Sequence, residues 1–375
     1  MKLLLIATQF TLPYRVLRCA AALGAKVWVM GPSAARSLVL SRQCAGYNSF
    51  DFAAHGDEDI AVEIDRFARE CGAERVLCSD YASTLLLARI APMLRTPSFP
   101  LSTPEALRQI GTKDNFMHYC REKEIAHPSG AIYSSGAELS LAIEEGRVRY
   151  PAILKPIDTA GGIGIVRVDE SNAQEIARKI DYAPILAQDF VEGEDRSITL
   201  FCRDGVVQSH VAYSHSGDVF QFTQEPELLS AVESIAEDLR LNGVINFDAR
   251  IDTHGKIWMI ECNPRFFFNM DVAMIAGMNF ADDRARRPVA VPPLKVRTPR
   301  ALLSALLHLE MPTAADRRML AHWLRDPVAF LAAMSGYQRR WHARWIEEIA
   351  LAFRPIVRAR PAITPAARPK CAIAA

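Results

Sequence analysis

The first hundred residues alternate short apolar runs with stretches that are apolar every three or four positions. Lys2–Ala7 has strand length, Pro13–Leu23 has helical spacing and stops at Gly24, and Lys26–Met30 is a second strand closed by Gly31. Asp57–Cys71 is helical up to Gly72, Arg75–Cys78 is a third strand, and Ala82–Leu94 is helical again. Such alternation predicts parallel β-α-β units, so residues 1–100 read as a small open α/β domain. Ligands of such sheets sit at the carboxyl ends of the strands. That puts Thr8-Gln9 and Ser79-Asp80 at the edge of a site, unless they are ordinary polar loop residues. No G-x-G-x-x-G follows the first strand, so nothing supports a dinucleotide-binding fold.

Beyond residue 100 the pattern changes. Thr103 caps a helix with Pro104 in its first turn, and Asp114–Lys123 reads as the next helix, preceded by Gly111-Thr112-Lys113. Ala126-His127-Pro128 is extended by the proline rule. Ala152–Lys155 and Ile165–Val168 are strands around a loop that holds Gly161, Gly162 and Gly164. Glycines let a backbone approach an anion and present N–H groups to it, and Lys155 brings a point charge to the same loop. A plain hairpin whose glycines serve only the turn accounts for the residues as well. No Gly-Lys-Ser/Thr follows, so this is not a Walker A loop. Asn172–Ile180 is helical and Ile185–Phe190 a strand. Arg196–Cys202 and Val206–Tyr213 form a hairpin, Ser214–Gln224 is a polar stretch that begins with the loop Ser214–Asp218, and Glu227–Arg240 is an amphipathic helix.

Gly243–Arg265 then reads with a period of two: strand Val244–Ile251, turn Asp252-Thr253-His254-Gly255, return strand Lys256–Cys262. Asn246, Asp248 and Arg250 share one face of the first strand, opposite Phe247, Ala249 and Ile251; Glu261 and Asn263 share one face of the second. If the polar faces coincide, two carboxylates and an amide oxygen converge, a hard-oxygen set that suits Mg²⁺. An ordinary half-solvated hairpin with one acid per strand is the competing reading.

Charge and cysteine usage narrow the class. Lys and Arg number 44 against 43 Asp and Glu, so the whole chain is no obvious nucleic-acid binder. The balance is uneven: 17 of the basic and 5 of the acidic residues lie from Arg284 onward. The eight cysteines show no C-x-x-C pair and no zinc spacing, which suggests reduced thiols and a cytoplasmic protein. The apolar run of Met1–Ala7 is too short for a signal peptide and ends at Thr8-Gln9, and no apolar stretch reaches the roughly 20 residues of a membrane span.

Four motifs come in a telling order over Thr103–Phe280. They are Lys113 before a helix, Ile153-Leu-Lys155-Pro with its glycine loop, Gln188-Asp-Phe-Val-Glu-Gly-Glu-Asp195, and Asp248 followed by Glu261-Cys-Asn263-Pro-Arg265. Together they resemble the ATP-grasp superfamily, which includes D-alanine–D-alanine ligase and biotin carboxylase. The resemblance implies an α/β (α+β) protein. It would have an N-terminal open parallel domain at 1–100, a two-lobed ATP-grasp domain at 101–285 (lobes about 101–185 and 186–285), and a basic helical extension at 286–375.

The resemblance also implies roles. Lys113 and Lys155 would contact ATP phosphates, and the loop carrying Gly161, Gly162 and Gly164 would cover them. Gln188, Asp189, Phe190 and Val191 would lie behind the adenine, and Glu194 or Asp195 would accept ribose hydroxyls. Asp248, Glu261 and Asn263 would hold Mg²⁺, with Mn²⁺ as a substitute. Arg265, Arg250 and Lys155 would face the transferring phosphate. The implied chemistry is ADP-forming: a carboxylate becomes an acyl phosphate and joins an amine, both small molecules. A phosphotransferase acting on a hydroxyl and a non-catalytic ATP-binding module are the alternatives. Two departures stand out: Gln188 replaces the more usual Glu, and Phe266-Phe267-Phe268 follows the metal motif, narrowing an acceptor site or packing under the hairpin.

In the tail, Pro288–Pro299 reads as a linker, and Arg300–Glu310, Ala314–Leu324, Pro327–Met334 and Gln338–Phe353 read as helices. The last carries Trp341 and Trp345 among Arg339, Arg340 and Arg344; it would contact an anionic membrane or a partner, or cap its own protein. Of the histidines near the expected cleft, His210, His215 and His254, His215 is the one placed for a test.

Overall fold

The computed structural model describes residues 1–157, 162–283 and 294–334. Gly161 and the expected helix Gln338–Phe353 lie outside the described residues.

Three sheets organise the chain. The first is parallel, with β1 (Lys2–Ile6), β2 (Lys26–Gly31), β3 (Cys44–Ser49) and β4 (Arg75–Leu77) in the order β3-β2-β1-β4. Helices Thr11–Ala22, Asp57–Cys71 and Tyr81–Ile90 connect and cover it. The continuous apolar run of β1 is buried on both faces, as parallel strands require. Strand β3 went unread in the sequence because C-A-G-Y-N-S has no apolar run.

The second sheet is small and antiparallel. It holds β5 (Gly130–Tyr133), β6 (Ala152–Pro156), β7 (Val166–Val168) and β8 (Ile185–Asp189) in the order β5-β8-β6-β7, backed by helices Gly136–Glu144 and Ala173–Lys179.

The third has six antiparallel strands: β9 (Gly193–Arg203), β10 (Val206–Ser216), β11 (Val219–Thr223), β12 (Gly243–Asp252), β13 (Ile257–Asn263) and β14 (Leu294–Arg297), ordered β13-β12-β9-β10-β11-β14. Helices Pro104–Ile110, Lys113–Glu122 and Pro226–Asp238 pack their apolar faces on one side of it, against Ile198, Leu200, Ile245 and Phe247. The first two of these helices therefore belong to the large sheet, although they precede the small one in sequence.

The polar stretch Ser214–Gln224 is mostly strand, not loop: β10 runs on to Ser216 and turns at Gly217, and V-F-Q-F-T makes β11, with Phe220 and Phe222 buried. The expected linker contains β14, which completes the sheet by pairing Leu294–Arg297 with Val219–Phe222. Both elements are short, and their pairing is non-local, so period alone undersold them.

The described part of the extension is built into the core. Trp323 is 2% exposed; its ring lies under the Arg18 guanidinium, 3.7 Å away, and edge-on to Tyr14. Asp326 accepts hydrogen bonds from the Ser41 hydroxyl and, at 2.9 Å, from the Arg42 N–H. No helix among the described residues is long and apolar enough to cross a membrane.

Candidate active site

The hairpin β12–β13 sets Asp248 opposite Glu261 and Asn246 opposite Asn263, so the polar faces coincide. Immediately afterwards the register slips, and Ala249 pairs with Met259, which leaves Ile260 as an extra residue beside Glu261. Bulges re-aim side chains, and this one follows the carboxylate pair. Asp248 Oδ1 accepts hydrogen bonds from Ser197 Oγ at 2.6 Å and Asn246 Nδ2 at 3.3 Å; Asn246 Oδ1 in turn accepts from Thr199 Oγ1 at 2.7 Å. Burial, with the Glu261 charge second, pushes the Asp248 carboxyl up to about 6.

Two lysines face this pair. Lys113 begins its helix, is 5% exposed, and holds Nζ 3.7 Å from Glu261 Oε2. Lys155 enters from β6 of the small sheet and is 3% exposed. Burial, opposed by the charges of Glu261 and Asp248, brings the Lys155 ammonium down to about 8. Two buried cations beside two carboxylates, from opposite sheets, make a compact charged centre.

Arg265 closes it from the loop after β13. Its Nη2 donates to Asn263 Oδ1 at 2.7 Å and its Nη1 to the Phe266 carbonyl at 2.9 Å. Burial lowers its pKa, while Glu261, Asp80 and Asp248 oppose that effect. Asp80 belongs to the parallel domain, where it caps a helix through Ser83 N–H and also accepts from Thr8 N–H at 3.2 Å. The strand ends Thr8 and Asp80 thus border the centre, and Gln9 beside them is exposed. The three phenylalanines divide: Phe266 and Phe267 are buried, against Phe99 and Phe280, whereas Phe268 is 47% exposed under the Arg15 guanidinium at 3.8 Å.

The segment between the sheets is tied to both. Gln188 donates its Nε2 to the Pro128 carbonyl at 3.2 Å, so its side-chain oxygen is the acceptor it offers. Asp189 lies 3.7 Å from Arg149. The Phe190 ring carries two guanidinium groups, Arg167 from β7 at 3.9 Å and Arg250 from β12 at 4.9 Å. Arg250 also grips Asp195 with two hydrogen bonds and donates to the Val191 carbonyl at 3.0 Å. Its observed contacts are therefore with this connecting segment. Glu194 pairs with Arg196 at 2.7 Å. Glu194, Asp195 and His215 line a cleft of about 470 Å³ together with Lys295 of β14. His215 stacks on Phe220, whereas burial lowers the pKa of His210, and the backbone N–H of His254 donates to Asp252 in the hairpin turn.

Gly162 and Gly164 have φ of +76° and +77°, and a Cβ on Gly164 would meet Pro156 and Tyr182 at 3.1 and 3.2 Å. The positive φ at 164 favours glycine, and Pro156 and Tyr182 crowd any added Cβ.

No group of three or more His, Cys, Asp or Glu side chains converges as a metal site among the described residues. Two facing carboxylates and the Asn263 amide nonetheless fit a hard cation that takes its other oxygens from phosphate and water. The raised Asp248 pKa is the electrostatic cost that such a cation would relieve. Ser197, Thr199 and Arg167 carried no signal in sequence, since they reach the site only through strand pairing within their sheets.

Comparison with known proteins bears on the whole arrangement. Residues 181–301 match the family model described as ATP-grasp in the biosynthetic pathway with Ter operon. The chain superposes on the L-amino acid ligase of Bacillus licheniformis with a TM-score of 0.58 at 18% identity, covering 78% of each chain. Over residues 181–301 the chain thus matches an ATP-grasp family, and its overall fold is that of this ligase. Another structural neighbour is the carboxyaminoimidazole ribonucleotide synthase of Aspergillus clavatus, solved with ATP (TM-score 0.59, 16% identity, 82% of this chain and 85% of that one). In sequence, 181 residues are 29% identical to the arginine-specific carbamoyl phosphate synthase large chain of Bacillus subtilis (strain 168). That match covers 43% of this chain and spans 17% of the length of the relative.

Proposed function

We propose that this ATP-grasp protein is an ADP-forming ligase that activates a small carboxylic acid and joins it to an amine. One observation carries the reading: buried Lys113 and Lys155 meet Asp248, Glu261 and Arg265 between the two antiparallel sheets. Buried ammonium groups are stable there only with anionic company, and ATP phosphates supply it. The names of the neighbours, an amino acid ligase and a ribonucleotide synthase, agree with this chemistry.

In this reading a substrate carboxylate oxygen attacks the γ-phosphorus, the bond to the β,γ-bridging oxygen breaks, and ADP leaves. The amine nitrogen then attacks the acyl carbon and expels phosphate, losing a proton. Lys155 and Lys113 stabilise charge on the phosphate oxygens, and Arg265 faces the transferring group from the acceptor side. Gln188 offers its oxygen to the adenine amine, and Asp195, oriented by Arg250, is the ribose acceptor. Gly162 and Gly164 let the loop close over the phosphates. Asp248, Glu261 and Asn263 would hold Mg²⁺, or Mn²⁺ in its place, which when bound neutralises phosphate charge.

The test is ADP release against a panel of acids crossed with amines, with hydroxylamine added to trap the intermediate. A hydroxamate formed from one acid supports the reading. ADP release driven by hydroxyl compounds, with no hydroxamate from any acid, overturns it in favour of a phosphotransferase.

A further inference from the structure

Asp248 is held from behind by a row of neutral donors that no comparison or motif points to. Ser197 and Thr199 lie on β9 directly across from Asp248 and Asn246. The hydrogen bonds have one consistent polarity. An ionised Asp248 oxygen can only accept, so the Asn246 NH₂ faces it; the Asn246 oxygen then faces Thr199, whose hydroxyl must donate. Ser197 donates to the same Oδ1 at 2.6 Å. Thr199 is fully buried, Asn246 is 4% exposed and Ser197 8%, so these bonds are little contested by water. Both donors fall on Oδ1, and among the described residues no hydrogen bond falls on Oδ2.

We infer that Thr199, Asn246 and Ser197 are positioning residues that lock the Asp248 carboxylate so that Oδ2 alone is presented to a divalent cation. The inference rests on the metal reading proposed above. Outer partners of this kind set ligand orientation, and losing one lowers metal affinity by about 10- to 100-fold. Because the carboxylate is held by neutral groups, its negative charge stays available to the ion.

The experiment is titration of Mn²⁺ into the full chain with ADP present, with free Mn²⁺ read by electron paramagnetic resonance. ADP binding in EDTA is measured in parallel. Thr199→Val keeps the buried shape and removes the donor; Ser197→Ala removes the second. Each is expected to weaken Mn²⁺ binding about tenfold while metal-free ADP binding holds. Thr199→Ser and Ser197→Thr, which keep the hydroxyl, should restore affinity. Wild-type affinity in Thr199→Val and Ser197→Ala overturns the relay and leaves the metal reading standing. Parallel loss of metal-free ADP binding also overturns it, since the residues would then be merely structural. A wild-type protein that binds no Mn²⁺ with ADP present overturns the metal reading itself, and the relay with it.

Discussion

Arg250 grips Asp195 through Nε and Nη2 at 2.8 and 2.9 Å, and the two residues also face each other across strands β12 and β9. A planar guanidinium engaged in this two-point grip is committed to orienting its partner. The ATP-grasp resemblance implies that Arg250 faces the transferring phosphate. Its contacts instead include Asp195, the Val191 carbonyl and the Phe190 ring, all on the segment that joins the two sheets.

Arg250→Ala should therefore weaken ADP binding about tenfold, roughly 1.4 kcal/mol, measured by calorimetry. Folding stability should change by less than about 1 kcal/mol, because the Asp195 side of the pair is largely exposed. Unchanged ADP binding combined with a large loss of turnover would return Arg250 to the phosphate.

Glu261→Ala should reduce Mg²⁺-dependent ATP turnover by about 100-fold or more and leave the circular dichroism spectrum intact. Glu261 is partly exposed on a strand whose pairing does not need its side chain. Retained turnover would remove it from the metal set.

Lys155 gives a pH signature. Its ammonium titrates at about 8 in the free protein because burial disfavours the charge. Phosphate oxygens favour the protonated form and raise that value in the complex. Binding of ADP without metal is accordingly full below about 8 and weakens as pH rises through it, toward about tenfold per unit. The ADP phosphates stay ionised over this range. Lys155→Met should bind weakly at every pH with a flat profile; a profile that falls equally in the variant assigns the titration elsewhere.

Gly164→Ala tests the loop. A φ of +77° costs an L-residue about 1 to 2 kcal/mol, and the added methyl presses on Pro156 and Tyr182. A modest fall in melting temperature and slower turnover are expected. Gly146→Ala, at φ +68° with open space around its Cβ, controls for backbone strain alone.

Trp323→Ala probes the extension. The buried indole packs on Arg18, Tyr14 and Phe330, so its loss should cost about 3 to 5 kcal/mol, read by chemical denaturation. A loss below about 1 kcal/mol would make the helices a peripheral cap.

The four motifs that resemble ATP-grasp were legible in the linear chain because each depends on local spacing: two residues along a strand, one turn of a helix, glycines in one loop. The β12–β13 hairpin was legible for the same reason, since its turn and alternation lie within 23 residues. Four things depended on contacts between distant segments. Ser197 and Thr199 reach Asp248 and Asn246 across about fifty residues. Arg250 is drawn to Asp195 by cross-strand pairing, which no period along one strand encodes. Leu294–Arg297 became a strand because β11 left an edge for it to pair with, and Trp323 became core because Arg18 and Tyr14 waited across the parallel domain. Side-chain type and spacing name the chemistry available to a chain; which oxygen meets which donor is set by register and packing between segments far apart in sequence.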